Sequence, residues 1–173
     1  MLKQTLLEAV MAGGAELKRF FKGDFKISQK EGINNPVTEA DHASQAAIID
    51  LIKKNFPDHQ VLAEETGEHI QDSTYKWIID PIDGTINFAH GIPLCCVAIA
   101  IEKDKEIIMS SVYAPILNEL FFAEKGKGAM LNDKKISVSR NASVLTSTLV
   151  TGFPYTYINM PNGPLEVFSR LIR

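Results

Sequence analysis

The residues best suited to chemistry are Glu64-Glu65 and, about one loop later, Asp80-Pro81-Ile82-Asp83-Gly84-Thr85, which follows the apolar run Trp77-Ile78-Ile79. An apolar run that ends in carboxylates and then meets a Gly-Thr step predicts a strand that delivers oxygen ligands to a cation and turns into an anion-sized hollow. Pro81 has no N–H to give to a ladder, so it is expected to help end the strand, leaving Asp80 and Asp83 free to converge and the Ile82 carbonyl exposed. Gathering Glu64, Asp80 and Asp83 in one place is costly through like-charge repulsion, which divalent magnesium relieves. Gly84 leaves room for close approach, and Thr85 and Ile86 are expected to open a short helix whose free amides point at a phosphate. A water held by Glu64 and Thr85 beside the cation gives up its proton more easily and is placed for in-line attack on phosphorus. The chemistry implied is hydrolysis of a phosphate ester.

Single pieces of this pattern have plainer readings. Two acids beside a Pro-Gly turn, taken alone, are ordinary turn chemistry. The weight rests on the combination of Glu64-Glu65, the apolar lead-in and the Gly-Thr-Ile-Asn-Phe tail. Asp41 stands at a helix start and reads equally as a dipole partner or as a catalytic acid. His42, His59, His69 and His90 share no spacing and read as surface or locally satisfied side chains rather than ligands. Trp77 and Phe88 read as core anchors.

The elements that must position these residues begin with a helix from about Leu2 to Phe21, because Leu6, Val10, Gly13, Leu17 and Phe20 step along one face. A loop at Gly32-Ile33-Asn34-Asn35-Pro36 follows. Thr38, with Glu39 and Asp41 behind it, caps a second helix reaching about Asn55. Short strands are expected at Val61-Ala63 and Lys76-Ile79, and Cys95-Glu102, Glu106-Tyr113 and Leu120-Ala123 read as an antiparallel meander. Further strands are expected near Ala129-Leu131, Ile136-Val138 and Ser147-Thr151, with a closing helix from about Pro164. No linker of domain length interrupts the chain. The arrangement reads as one α+β domain over 1–173, with a metal and phosphate site in 30–93 and a mainly antiparallel sheet in 95–151.

Composition narrows the partners. The 18 basic and 21 acidic residues of this 173-residue chain leave a formal charge of -3 with no block of one sign, which argues against a nucleic-acid partner. No run approaches the ~20 apolar residues of a membrane span. Cys95 and Cys96, the two cysteines, are adjacent and suit neither a disulfide framework nor a zinc site, so free thiols in a reducing cytoplasm are expected.

Asp80-Pro81-Ile82-Asp83-Gly84-Thr85-Ile86-Asn87-Phe88-Ala89-His90-Gly91-Ile92-Pro93 resembles the signature of the inositol monophosphatase family of lithium-sensitive, magnesium-dependent phosphatases. Val37-Thr38-Glu39-Ala40-Asp41, Ala63-Glu64-Glu65, the segment Ala123 to Ala129 and Thr151-Gly152-Phe153-Pro154-Tyr155 are similar to other signatures of that family. The resemblance implies two or three Mg2+ ions: Glu64, Asp80 and the Ile82 carbonyl on the first, Asp80 and Asp83 on the second, and Glu64 with Glu65 in support on a weaker third. It implies that Thr85 and Asp41 activate the water, that the Gly84 and Thr85 amides hold phosphate, that Asp83 reaches a substrate hydroxyl, and that Lys30 lies near the metals. It further implies a layered αβαβα sandwich, commonly a homodimer, acting on inositol monophosphate or a related sugar phosphate. Fructose bisphosphate, 3'-phosphoadenosine 5'-phosphate and a catalytically weak binding module are the alternatives. Members of the family continue into a second α/β portion with a Trp-Asp-x-x-Ala-Gly motif. Trp77 is the only tryptophan here, so the sandwich is expected to lack most of that portion and to leave a sheet edge open near Ser147-Thr151.

Overall fold

Helix α1 (Leu2–Phe20) buries Leu6, Ala9, Val10, Gly13, Gly14 and Leu17, the stripe that the apolar spacing predicts. The structure is a computed structural model that describes residues 1–29, 36–153, 160 and 163–171. Lys18 and Arg19 in the last turn of α1 face the negative end of its dipole. Helix α2 (Glu39–Asn55) starts at Thr38, whose Oγ1 accepts from the Ala40 N–H at 3.2 Å while the Asp41 carboxylate accepts from the Thr38 N–H at 2.7 Å. Two donors that helix geometry leaves unmatched are thereby satisfied reciprocally. The two helices meet at Gly13, where a β-carbon would stand 2.7 Å from Ile48 Cδ1 and 2.8 Å from Ser44 Oγ, so a larger residue would force those side chains to shift.

Two short strands, β1 (Ile27–Gln29) and β2 (Pro36–Thr38), pair antiparallel. The main sheet contains β3 (Gln60–Ala63), β4 (Gly67–His69), β5 (Tyr75–Asp83), β6 (Cys96–Lys103), β7 (Glu106–Ala114), β8 (Glu119–Glu124), β9 (Gly128–Leu131) and β10 (Lys134–Ile136). Its order is β10-β9-β8-β7-β6-β5-β3-β4. From β5 to β10 each strand pairs antiparallel with the next, the meander the sequence implies, whereas β3 and β5 run parallel with β4 outside them. Val61, Trp77, Ile79, Val97, Ile99 and Ile101 join Leu6, Val10, Leu17, Ile48 and Ile52 in one buried cluster. Each such side chain contributes about 1.5–3 kcal/mol by leaving water.

At the start of β5, His59 stacks between Phe56 and Tyr75, with ring centroids 4.6 and 4.7 Å away. Its Nδ1 accepts a hydrogen bond from the Trp77 indole N–H at 3.0 Å. Burial lowers its pKa from 6.5, partly opposed by Asp58. This is the locally satisfied histidine that the sequence suggests.

Three expectations are corrected. Pro81 does not end the strand: β5 continues to Asp83 through an irregularity in which Asp80 pairs with Ala98 and Asp83 with Cys96, so the proline occupies a bulge, where no ladder donor is required. Ser147–Thr151 is no strand. Segment 138–153 has no ladder partner among the described residues, its one regular element is a 3-10 turn at Val144–Thr146, and Val150 is 95% exposed. The sheet therefore ends at β10 and β4 instead. Strands β1, β2 and β4 were not anticipated.

By chain contacts the molecule divides into units Met1–Ser137 and Val138–Arg173. Within the second, helix α4 (Pro164–Leu171) forms where a closing helix is expected, and Phe153 meets the Phe168 ring edge-on at 5.8 Å. Among the described residues no helix is long and apolar enough to cross a membrane.

Candidate active site

Three segments of the first unit converge here: the turn after β3, the bulged end of β5, and the start of α2. Glu64 and Glu65 occupy the turn, with the Glu64 N–H donating to the Ile79 carbonyl at 3.2 Å, which ties the turn to β5. Asp80 and Asp83 flank the bulge. Asp80 interacts with both Glu64 and Asp83, and burial followed by these two carboxylates pushes its carboxyl from 3.8 up to about 7. Asp80 Oδ1 is buried and has no hydrogen-bond partner among the described residues. Among the described residues no three His, Cys, Asp or Glu side chains form a ready-made metal cluster; the acids meet pairwise through Asp80.

After the bulge, Gly84 adopts the left-handed conformation at φ +88°, and a β-carbon there would stand 2.8 Å from the Leu94 carbonyl oxygen. A side chain is therefore excluded twice, by strain and by space. Helix α3 (Thr85–Ala89) begins immediately, anchored by the fully buried Phe88, whose ring lies 5.8 Å from Phe21 and 5.4 Å from Phe25. Asn87 holds the returning chain by donating from Nδ2 to the Leu94 carbonyl at 2.8 Å.

The Thr85 hydroxyl lies 3.0 Å from the Ile82 carbonyl and 3.4 Å from Asp41 Oδ1. The other Asp41 oxygen accepts from the Thr38 N–H and hydroxyl. Asp41 thus completes the cap of α2 and also faces Thr85. The Ile82 carbonyl is engaged by Thr85, while the Ile82 side chain is buried in the core. Lys30 lies outside the described residues.

Sequence reasoning missed Ser44 and Gln45. Both are buried polar residues on α2: Ser44 Oγ donates to the Pro81 carbonyl at 2.9 Å, and Gln45 contacts the Glu65–Thr66 turn. The available signal was their spacing from Asp41 on a helix face that continues into Ile48 and Ile52. Cys96, a free thiol, stands 3.8 Å from Asp83 Oδ2. Burial, with Asp83 and Asp80 nearby, pushes that thiol up to about 12. Asp83, Asn87, Cys96, Val112 and Phe121 line a cleft of about 350 Å³.

Comparison with known proteins places this geometry in context. A sequence model of the inositol monophosphatase family matches residues 2–164. The chain is 42% identical over 173 residues to a Nus factor SuhB of Haemophilus influenzae, covering 99% of this chain and 65% of that protein. It is 44% identical over 165 residues to an inositol-1-monophosphatase of Synechocystis, covering 95% and 58%. An inositol monophosphatase structure from Anabaena superposes with a TM-score of 0.83 at 35% identity, covering 97% of this chain and 61% of that one. An IMPase/NADP phosphatase complexed with Mg2+ and phosphate superposes with a TM-score of 0.69 at 26% identity, covering 78% and 51%. The chain thus spans less than two thirds of the length of these relatives.

Proposed function

Because the chain belongs to the inositol monophosphatase family, we propose that it carries the metal and phosphate site of a phosphomonoesterase acting on inositol monophosphate or a related sugar phosphate. The observation that supports this reading most directly is Asp80, a crowded carboxyl with one buried oxygen that no hydrogen-bond donor among the described residues reaches. Hard divalent cations favour such oxygens, so the residues fit magnesium. Glu64, Glu65, Asp80, the Ile82 carbonyl and Asp83 would hold two or three Mg2+ ions. When bound, Mg2+ supplies charge neutralisation and Lewis acidity at phosphorus.

The chain's own groups orient the remaining chemistry. Thr85 Oγ1 is fixed between the Ile82 carbonyl and Asp41 Oδ1, so its lone pairs are available to accept from an attacking water while its proton is directed toward an oxygen. Asp41, 1% exposed, anchors Thr85 from below. The Gly84 and Thr85 amides would receive phosphate oxygens, and the exposed Asp83 would reach a substrate hydroxyl beside the cleft. Lys30 is retained as a substrate contact on the resemblance alone. A homodimer is the assembly proposed.

The test is phosphate release from inositol 1-phosphate by the 173-residue chain with and without Mg2+, repeated with Asp83→Asn. Magnesium-dependent release that Asp83→Asn abolishes supports the proposal. Cation binding without release identifies a binding module instead, and neither binding nor release refutes the site. A second reading, as a Nus factor, is favoured by the name of the Haemophilus relative; restoration of a Nus-factor-deficient strain by Asp83→Asn would favour that reading over catalysis.

A further inference from the structure

Helix α2 presents Asp41, Ser44 and Gln45, all 3% exposed or less, on one face toward the site. Each holds a different segment. Asp41 faces Thr85, Ser44 holds the Pro81 carbonyl in the middle of the bulge, and Gln45 grips the turn that carries the glutamates. The grip of Gln45 is two-handed: its Oε1 accepts from the Glu65 N–H at 3.0 Å, and its Nε2 donates to Thr66 Oγ1 at 3.1 Å. A buried amide that both accepts and donates fixes the turn in position and in rotation, which one bond alone would not do.

We infer that Gln45 is a positioning residue for cation binding, setting the Glu64-Glu65 turn against Asp80. This rests on the functional reading above. The argument is geometric. Asp80 sits on β5, which Ser44 pins to α2; Glu64 sits on the turn, which Gln45 pins to the same helix one residue later. The separation of the two carboxylates is therefore held from α2, in addition to the bond from the Glu64 N–H to the Ile79 carbonyl that ties the turn to β5. Groups behind metal ligands in this manner typically change metal affinity about 10- to 100-fold when removed.

Mn2+ binding, followed by electron paramagnetic resonance on the whole chain, tests this together with hydrogen exchange at the Glu65 amide without metal. Gln45→Leu removes both bonds and is expected to raise the half-saturating Mn2+ concentration about tenfold or more and to speed Glu65 exchange. Gln45→Glu is expected to recover slow exchange, since a carboxylate still accepts from Glu65 and the Thr66 hydroxyl can rotate to donate. Thr66→Val cuts one bond at an exposed position, is expected to fall between wild type and Gln45→Leu, and decides the matter if Gln45→Leu does not fold. Wild-type Mn2+ binding that Gln45→Leu and Thr66→Val leave unchanged overturns the role of Gln45 while leaving the site intact. A wild-type chain that binds no Mn2+ overturns both the site and the inference.

Discussion

The two ends of strand β5 make opposite use of buried polar groups. At its start, the Trp77 indole donates to the His59 imidazole, and that imidazole has an aromatic ring stacked on each face. Toward its end, Asp80 is pressed against Glu64 and Asp83 and keeps an oxygen that none of the described residues satisfies. The first arrangement stabilises the native chain; the second opposes folding and suits a ligand. Only Ile78 and Ile79 separate the structural anchor Trp77 from the functional liability Asp80, and the difference shows that burial of a polar group is informative only once its partners are counted.

The largest break in this contrast is expected from Trp77→Ala, which removes a fully buried indole and leaves the His59 acceptor unmatched. A loss of about 3–5 kcal/mol is expected, measured by urea denaturation. Asp80→Asn at the opposite end is expected to preserve or raise stability without metal at pH 8 while weakening Mg2+ binding. Next in size, Thr85→Ala is expected to lower turnover about 100-fold with a much smaller change in Mg2+ affinity, read from phosphate release against calorimetric titration, because the hydroxyl orients a water and is not itself a cation ligand. Equal losses in both would remove that role.

The response to pH sharpens the contrast further. Asp80 has a raised folded pKa, so its contribution to stability is present below about 4 and is lost as pH rises toward about 7. His59 has a lowered folded pKa, so its contribution is present above 6.5 and is lost as pH falls through the folded value. Denaturation profiles of Asp80→Asn and His59→Gln without metal are expected to flatten on opposite sides: the first removes a decline with rising pH, the second a decline with falling pH.

The helices and the meander were legible because their cues are local. The stripe from Leu6 to Leu17 and the cap at Thr38 lie within a few turns of chain, and the strands from Cys96 to Glu124 alternate with short turns. Ser147–Thr151 misled because Leu149, Val150 and Thr151 have strand-like side chains, whereas a strand also needs a neighbour to receive its amides. Pro81 misled in the opposite sense: the rule that it ends a ladder overlooks the bulge that accommodates it. The acids and Thr85 were legible as candidates from type and order. Ser44 and Gln45 were not, since a serine and a glutamine inside an apolar helix face look like imperfections until the turn and bulge they hold are folded against them.

The hydrogen bond from Trp77 to His59 also gives the chain an internal optical reporter. With one tryptophan in 173 residues, all indole emission originates at that single ring. A protonated imidazole in contact with an excited indole quenches it, so the intensity of that emission follows the charge of His59 and the integrity of the start of β5, against a background free of other indoles.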